Sequence, residues 1–147
     1  MKRILIFFLL LTPCLCKSQV PDHIPLMDSN WDILAMMSYK KNSSGTLVAH
    51  FPAPLKALDN KSVELSGYMV PIVAGFVHPV FMLSVLPVLQ CQYCGQSDIP
   101  SMVEVHMAKP APYSENPVKV KGVLHLNSTD IAHSEFILNN AVVSDIK

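Results

Sequence analysis

The alternation of apolar and polar residues in the second half of the chain most constrains its fold. In the run NPVKVKGVLHLN, Val118 and Val120 alternate with Lys119 and Lys121. A period of two residues is that of a β-strand, because successive side chains point to opposite faces of a sheet. Five runs either follow this pattern or are apolar throughout at strand length. They predict strands over residues 61–72, 79–87, 101–109, 116–127 and 134–143.

The spacing of these runs indicates an all-β domain with one short N-terminal helix. Gly67 falls in the middle of the first strand, where a sharp bend needs a residue without a side chain. A bent first strand, and a longer connection between the second and third or the third and fourth strands, are typical of the five-stranded oligonucleotide/oligosaccharide-binding (OB) barrel. A β-sandwich is the alternative. The sequence lacks the alternation of strands and helices that a parallel sheet requires.

The region before the strands is predicted to be an arm with one short helix. Asp28 or Ser29 is a candidate N-cap, and Trp31, Leu34 and Met37 follow at helical spacing. This apolar stripe is expected to cover the core. The next segment, KKNSSGTLVAHFPAP, is rich in turn formers and is predicted to be a linker.

The N-terminus has the pattern of an export signal. Lys2 and Arg3 precede a short apolar run, which ends in small and polar residues near Ser18. The run is shorter than the roughly 20 residues of a membrane span, although an uncleaved anchor remains the alternative. The predicted organisation is a signal peptide over residues 1–18, the arm over 19–50 and the barrel over 51–147. The mature protein is therefore expected to be soluble and periplasmic or secreted.

Removing the signal changes the charge and the cysteine content. Without Lys2, Arg3 and Lys17, the 11 basic residues become 8 against 11 acidic ones, and no arginine remains. The absence of guanidinium groups argues against nucleic-acid binding. The only cysteines left are Cys91 and Cys94, in the motif CQYCG. At this spacing they can bind a metal, form a structural disulfide or cycle as a redox dithiol.

Metal binding needs further ligands, because zinc usually takes four. His106 is the strongest candidate, since it lies on the polar face of the strand that follows the motif. His78 and Asp98 are the next candidates. Copper(I) is the alternative ion, because soft thiolates and the thioether of Met102 or Met107 suit it. The sequence thus predicts zinc or copper(I) at a site that includes Cys91 and Cys94.

Four segments carry a resemblance to a known family: FPAPLKALDNKSVELSGYMVPI, VFMLSVLPVLQCQYCG, DIPSMVEVHMAKP and VKVKGVLHLN. Together they resemble an uncharacterised family of small exported bacterial proteins, known only as a domain of unknown function. The resemblance spans roughly the last two thirds of the chain. It implies a Cys-x-x-Cys-Gly loop after the second strand and a link to metal uptake or export. Where glycine would be expected after Asp59, this chain has Asn60, which also tolerates a left-handed turn.

The sequence therefore predicts an exported accessory protein that binds a transition metal in metal homeostasis or delivery. Its expected partners are the metal ion and a transporter component or another envelope protein. The alternatives are a non-catalytic binding module with a Cys91–Cys94 disulfide and a thiol-disulfide redox protein. The chain has no nucleophile elbow, phosphate-binding glycine loop or paired-carboxylate segment, so no enzyme class is indicated.

Overall fold

The computed structural model describes residue 26, residues 28–87 and residues 102–145. The predicted signal peptide lies outside these ranges. The helices of the described residues are α1 (Ser29–Leu34) and α2 (Ala53–Lys56). The strands are β1 (Ser38–Lys41), β2 (Leu47–His50), β3 (Ser62–Pro71), β4 (Val77–Ser84), β5 (Met102–Pro112), β6 (Val118–Leu126) and β7 (Phe136–Asp145).

The last five strands form a closed barrel in the order β3-β4-β5-β7-β6. Strand β3 closes it by pairing with β6, and every pair is antiparallel except β5 with β7, which run parallel. A five-stranded, partly antiparallel barrel of this kind is the architecture of OB-like proteins. The predicted fold class is confirmed, and the β-sandwich alternative does not form.

The core lies inside the barrel and is built from alternate residues of each strand. In β3 the side chains of Val63, Leu65 and Met69 are buried, while Glu64 is exposed. Gly67 continues this inward series. A Cβ atom at Gly67 would lie 2.6 Å from the backbone oxygen of Ser84, closer than carbon and oxygen can approach. The glycine is therefore needed for the close approach of β3 to β4.

Helix α1 covers one side of the barrel, as the apolar stripe predicted. Asp28 is its N-cap, and its carboxylate accepts hydrogen bonds from the backbone N–H groups of Asn30 and Trp31. Trp31 and Leu34 are buried, and Trp31 Nε1 donates a 2.9 Å hydrogen bond to the backbone oxygen of Ser66. The indole is thus packed and hydrogen-bonded at once, which is the usual state of a buried tryptophan.

The segment predicted to be a linker contains a hairpin. Strand β1 pairs with β2 in an antiparallel register that joins Tyr39 to Ala49. The turn formers between the two strands occupy the hairpin loop, where Asn42 Oδ1 accepts hydrogen bonds from the backbone N–H groups of Ser44 and Thr46. Each of these strands has only four residues, which is too few for sequence periodicity to identify a strand.

Two smaller features complete the description. Asn60 has a φ of +58°, the left-handed conformation that asparagine tolerates. In the described ranges, no helix has the length and apolar character needed to cross a membrane.

Candidate metal centre

Strand β5 places two chemically active side chains on the outside of the barrel. Val103 and Val105 point into the core, so Glu104 and His106 share the opposite face. The two are adjacent on that face because residues two apart in a strand point the same way. Glu104 Oε1 accepts a 2.7 Å hydrogen bond from His106 Nε2.

The parallel pairing of β5 with β7 brings a second segment to this site. Glu104 lies opposite Ile137 in the register, near the start of both strands. The loop over residues 127–135, which leads into β7, must therefore lie at the end of the barrel where β5 begins. This loop carries His133 and Ser134 up to the Glu104 carboxylate.

Glu104 is the centre of the resulting cluster. His133 Nδ1 donates to the same Oε1 atom at 2.8 Å, and the backbone N–H of Ser134 donates to Oε2 at 2.9 Å. The imidazole rings of His106 and His133 have centroids 5.8 Å apart. One carboxylate oxygen thus lies between two imidazole nitrogens.

The electrostatics of the cluster follow from the different exposure of its members. The side chain of Glu104 is 9% exposed, against 34% for His106 and 42% for His133. Burial alone would raise the pKa of Glu104, but the hydrogen bonds from His106, Ser134 and His133 outweigh it and hold that pKa below its usual value. The hydrogen bond to Glu104 and the carboxylate charge raise the pKa of His133. The cluster therefore favours an ionised glutamate.

Asn127 fixes the shape of the loop that carries His133. Its Nδ2 donates to the backbone oxygens of Asp130, His133 and Ser134, at 2.7, 3.4 and 3.2 Å. Its Oδ1 accepts from the backbone N–H groups of Thr129 and Asp130, at 3.2 and 2.9 Å. The side chain is buried, so these bonds replace contacts with water. One amide thus holds both ends of the loop in place.

The cluster has the donor atoms of a three-ligand metal site. The ligand atoms of Glu104, His106 and His133 all lie within 4.8 Å of one another. Ligand atoms around a tetrahedral zinc ion are about 3.3 Å apart, given bond lengths of about 2.0–2.1 Å. The distances from Glu104 Oε1 to the two imidazole nitrogens are 2.7 and 2.8 Å. Each would have to lengthen by only about half an ångström to match a tetrahedral zinc site. Two histidines and a glutamate also form the ligand set of some catalytic zinc sites.

The structure places the sequence-predicted residues in different environments. His106, the leading candidate, lies in the cluster. His78 does not: it is fully buried, and neither ring nitrogen has a hydrogen-bond partner among the described residues. Its ring meets the ring of Tyr113 edge to face. The remaining predicted ligands, Cys91, Cys94 and Asp98, lie outside the described residues.

Glu104 and His133 are the members of the cluster that sequence reasoning missed. The alternation of Glu104 with Val103 and Val105 predicts only an outward-facing position, where a carboxylate is normally solvated. Its burial depends on the loop of residues 127–135, and local periodicity contains no information about that contact. His133 follows no periodic pattern. The signal that was available is the pair of polar residues Glu104 and His106 at alternate positions of an otherwise apolar strand.

Comparison of the chain with protein-family models, with curated proteins and with solved structures finds no match. Function is therefore inferred from the chemistry of the cluster and from the sequence.

Proposed function

We propose that this protein binds zinc through Glu104, His106 and His133 and acts as an exported accessory protein in metal homeostasis or delivery. The observation that carries the proposal is the position of Glu104 Oε1, which lies within 2.8 Å of nitrogens from two different histidines. A buried carboxylate shared by two partly exposed imidazoles is a preassembled set of ligands. A divalent cation could replace the two protons that His106 and His133 donate to Glu104, and it would then bind the carboxylate and both imidazoles.

The ligand types favour zinc over copper(I). Imidazole and carboxylate suit zinc, whereas copper(I) prefers thiolate and thioether sulfur. Met107, one of the two methionines considered for copper, packs against the barrel core. It is on the opposite face of β5 from His106, because the two residues are adjacent in the strand.

Carriage of the metal fits the exposure of the ligands. His106 and His133 each leave about a third or more of the side chain open to solvent, so an ion can enter and leave without unfolding of the barrel. Three protein ligands also leave a fourth position for water or for a ligand from another protein. Export and a role beside a transporter are supported by the N-terminal pattern and by the family resemblance.

Cys91 and Cys94 are proposed as further ligands or as a second thiolate site. Cys94 precedes Glu104 by ten residues in the sequence. The chain between Cys94 and Glu104 is long enough to place a thiolate at the cluster, since each extended residue spans about 3.3 Å. Thiolate ligation would raise the affinity for zinc and would extend the specificity toward copper(I).

Zinc titration of the mature protein tests the proposal. We expect one zinc ion per chain, measured by calorimetry and by metal analysis after gel filtration. Glu104→Gln preserves the size of the side chain but removes its charge. It should weaken binding by more than about 100-fold, because even partners behind the ligands typically contribute about 10–100-fold.

His125→Ala is the matched control. His125 is also a partly exposed histidine beside a carboxylate, with Nδ1 3.8 Å from Asp59 Oδ1, but it lies outside the cluster. Its replacement should leave zinc affinity unchanged. The double variant Cys91→Ser, Cys94→Ser then separates the two candidate sites. Zinc binding that survives Glu104→Gln and is abolished by the cysteine variant would contradict the assignment to Glu104, His106 and His133.

A further inference from the structure

A small cleft opens beside the cluster, between the β1–β2 hairpin and the loop of residues 127–135. Its volume is about 220 Å³, and His133 forms part of its wall. Typical small-molecule sites have about 300–1,000 Å³, so the cleft has room for a single side chain or a very small ligand. The other lining residues used below are Tyr39, Leu47, Asp130, Ile131 and Glu135.

The cleft is lined by two carboxylates, and its one basic lining residue, His133, is paired with Glu104. Asp130 and Glu135 line it, and none of its lining residues is a lysine or an arginine. The hairpin lysines Lys40 and Lys41 lie opposite Val48 and Leu47 in the register but are not part of the wall. The cleft therefore attracts cations and disfavours anions.

Each carboxylate keeps one oxygen available. The backbone N–H of Ala132 donates to Asp130 Oδ1 at 3.0 Å, and the hydroxyl of Tyr39 donates to Glu135 Oε1. In the described part of the chain, Asp130 Oδ2 and Glu135 Oε2 have no assigned donor. The hydrogen bond to Glu135, with burial, raises the pKa of Tyr39 to about 12, so the phenol remains a neutral donor. The two carboxylates are thus oriented by other groups and are not neutralised.

The apolar part of the wall is exposed to solvent. Ile131 is fully exposed, and Leu47 and Tyr39 are 61% and 53% exposed. These side chains offer contact area for a hydrocarbon stem that ends in a charged group. A lysine side chain has this shape, because its methylene stem packs on apolar surface while the ammonium group stays with its polar partners.

We propose that this cleft is a binding site for an alkylammonium group. An ammonium has three donors that point in different directions, and it can therefore donate to two carboxylates at once. A guanidinium would instead favour both oxygens of one carboxylate in a planar fork. The cleft shares only His133 with the proposed zinc ligands, so its occupant lies next to that residue. A lysine of a partner protein bound here would bring that partner to the metal centre.

Titration of the metal-free mature protein with Nα-acetyl-lysine amide, followed by NMR chemical shifts, tests this site. We expect saturable shifts at Tyr39, Ile131 and Glu135, with an affinity on the order of millimolar, as one exposed ion pair and a short stem provide. The uncharged analogue Nα-acetyl-norleucine amide is the matched ligand control. Equal shifts with the norleucine compound, or shifts that do not saturate, would overturn the proposal.

Protein variants locate the site and separate it from the zinc centre. Asp130→Asn and Glu135→Gln should each weaken lysine-amide binding by about fivefold. Glu115→Gln, at an exposed carboxylate that does not line the cleft, should change nothing. Failure of these variants to weaken binding would disprove the site even if zinc still bound normally. Titration with n-pentylamine tells whether the site binds the lysine of a protein or a free amine. Weaker binding of n-pentylamine than of the lysine amide indicates a protein lysine, and equal binding indicates a free amine.

Discussion

At the scale of single residues, Glu104 determines the properties of the cluster. Its carboxylate is largely buried on the outside of a strand, and a buried charge is tolerated only when it is paired and hydrogen-bonded. Two imidazole N–H groups and one backbone N–H meet this condition. Removing the charge therefore leaves the histidines with at most a neutral acceptor, and removing the histidines leaves a buried acid without two of its donors.

The opposite pKa shifts of Glu104 and His133 predict a defined pH dependence of stability for the metal-free protein. Glu104 has a lowered folded-state pKa, so its contribution is present above its ordinary value of 4.5 and is lost as the pH falls through the folded value. His133 has a raised pKa, so its contribution is fully present below 6.5 and is lost as the pH rises through the folded value. The cluster should stabilise the protein most between about pH 4.5 and 6.5.

Urea unfolding followed by the fluorescence of Trp31, the one tryptophan of the chain, measures this effect. The difference in unfolding free energy between the wild type and Glu104→Gln should be largest in that window and should shrink above it. Zinc should reverse the trend above the window, because it binds only the deprotonated imidazole and is favoured by rising pH. A difference that grows steadily toward pH 8 without metal would contradict the shared hydrogen bonds.

Single residues were predictable from the sequence only where a local pattern identifies them. His106 was identifiable because it is a polar residue on the outward face of a largely apolar strand. Asn60 was identifiable because few side chains tolerate a positive φ. His133 was not, because it meets Glu104 across a separation of 29 residues. Contacts of that kind are set by which strands pair, and this information is absent from any short window of sequence.

At the scale of elements, the loop of residues 127–135 connects fold and site. It contains no helix or strand, yet the side chain of Asn127 gives it a fixed shape. The barrel strands and helix α1 were predictable because their periodicity and N-cap are local. The shape of this loop was not, since it depends on a buried amide that bonds several backbone groups at once.

Asn127→Ala should therefore affect both stability and metal binding. Loss of the amide removes the hydrogen bonds to the partly buried backbone groups of Asp130 and Ser134, at a cost of about 0.5–1.5 kcal/mol in unfolding free energy for each bond. Zinc affinity should fall by about tenfold or more, because His133 is no longer held beside Glu104. Urea unfolding and zinc calorimetry on the same sample measure the two effects.

Ser128→Ala is the control within the same loop. Ser128 is exposed, and its hydroxyl makes none of the hydrogen bonds that shape the loop. This variant should behave as the wild type in both measurements. If Asn127→Ala lowers stability but leaves zinc affinity intact, then the loop does not position His133 for the metal.

At the scale of the whole molecule, the barrel is stabilised by burial of apolar residues from every strand. Its core includes the fully buried rings of Phe81 and Phe136 and a set of aliphatic side chains. The class of fold was predictable because five short alternating strands have few other compact arrangements. The strand order could not be derived in the same way. Strands β5 and β7 pair in parallel although β6 lies between them in the sequence.

The double variant Cys91→Ser, Cys94→Ser should keep this barrel. The core is formed by apolar residues of the described part of the chain, and a disulfide closing so short a loop would contribute about 2 kcal/mol at most. We expect an unchanged far-ultraviolet circular dichroism spectrum and a cooperative urea transition. Loss of the cooperative transition would mean that the cysteines, rather than apolar burial, maintain the fold.

The hairpin of β1 and β2 has a consequence for self-association. Closure of the barrel pairs all of its strands, so in the described part of the chain this two-stranded sheet is the one with free edges. Unpaired edges are where the backbone of one copy recruits that of another into fibrils. Strand β1 carries Lys40 and Lys41, whose positive charges would be brought against their counterparts by such stacking. The two lysines therefore disfavour aggregation through this edge.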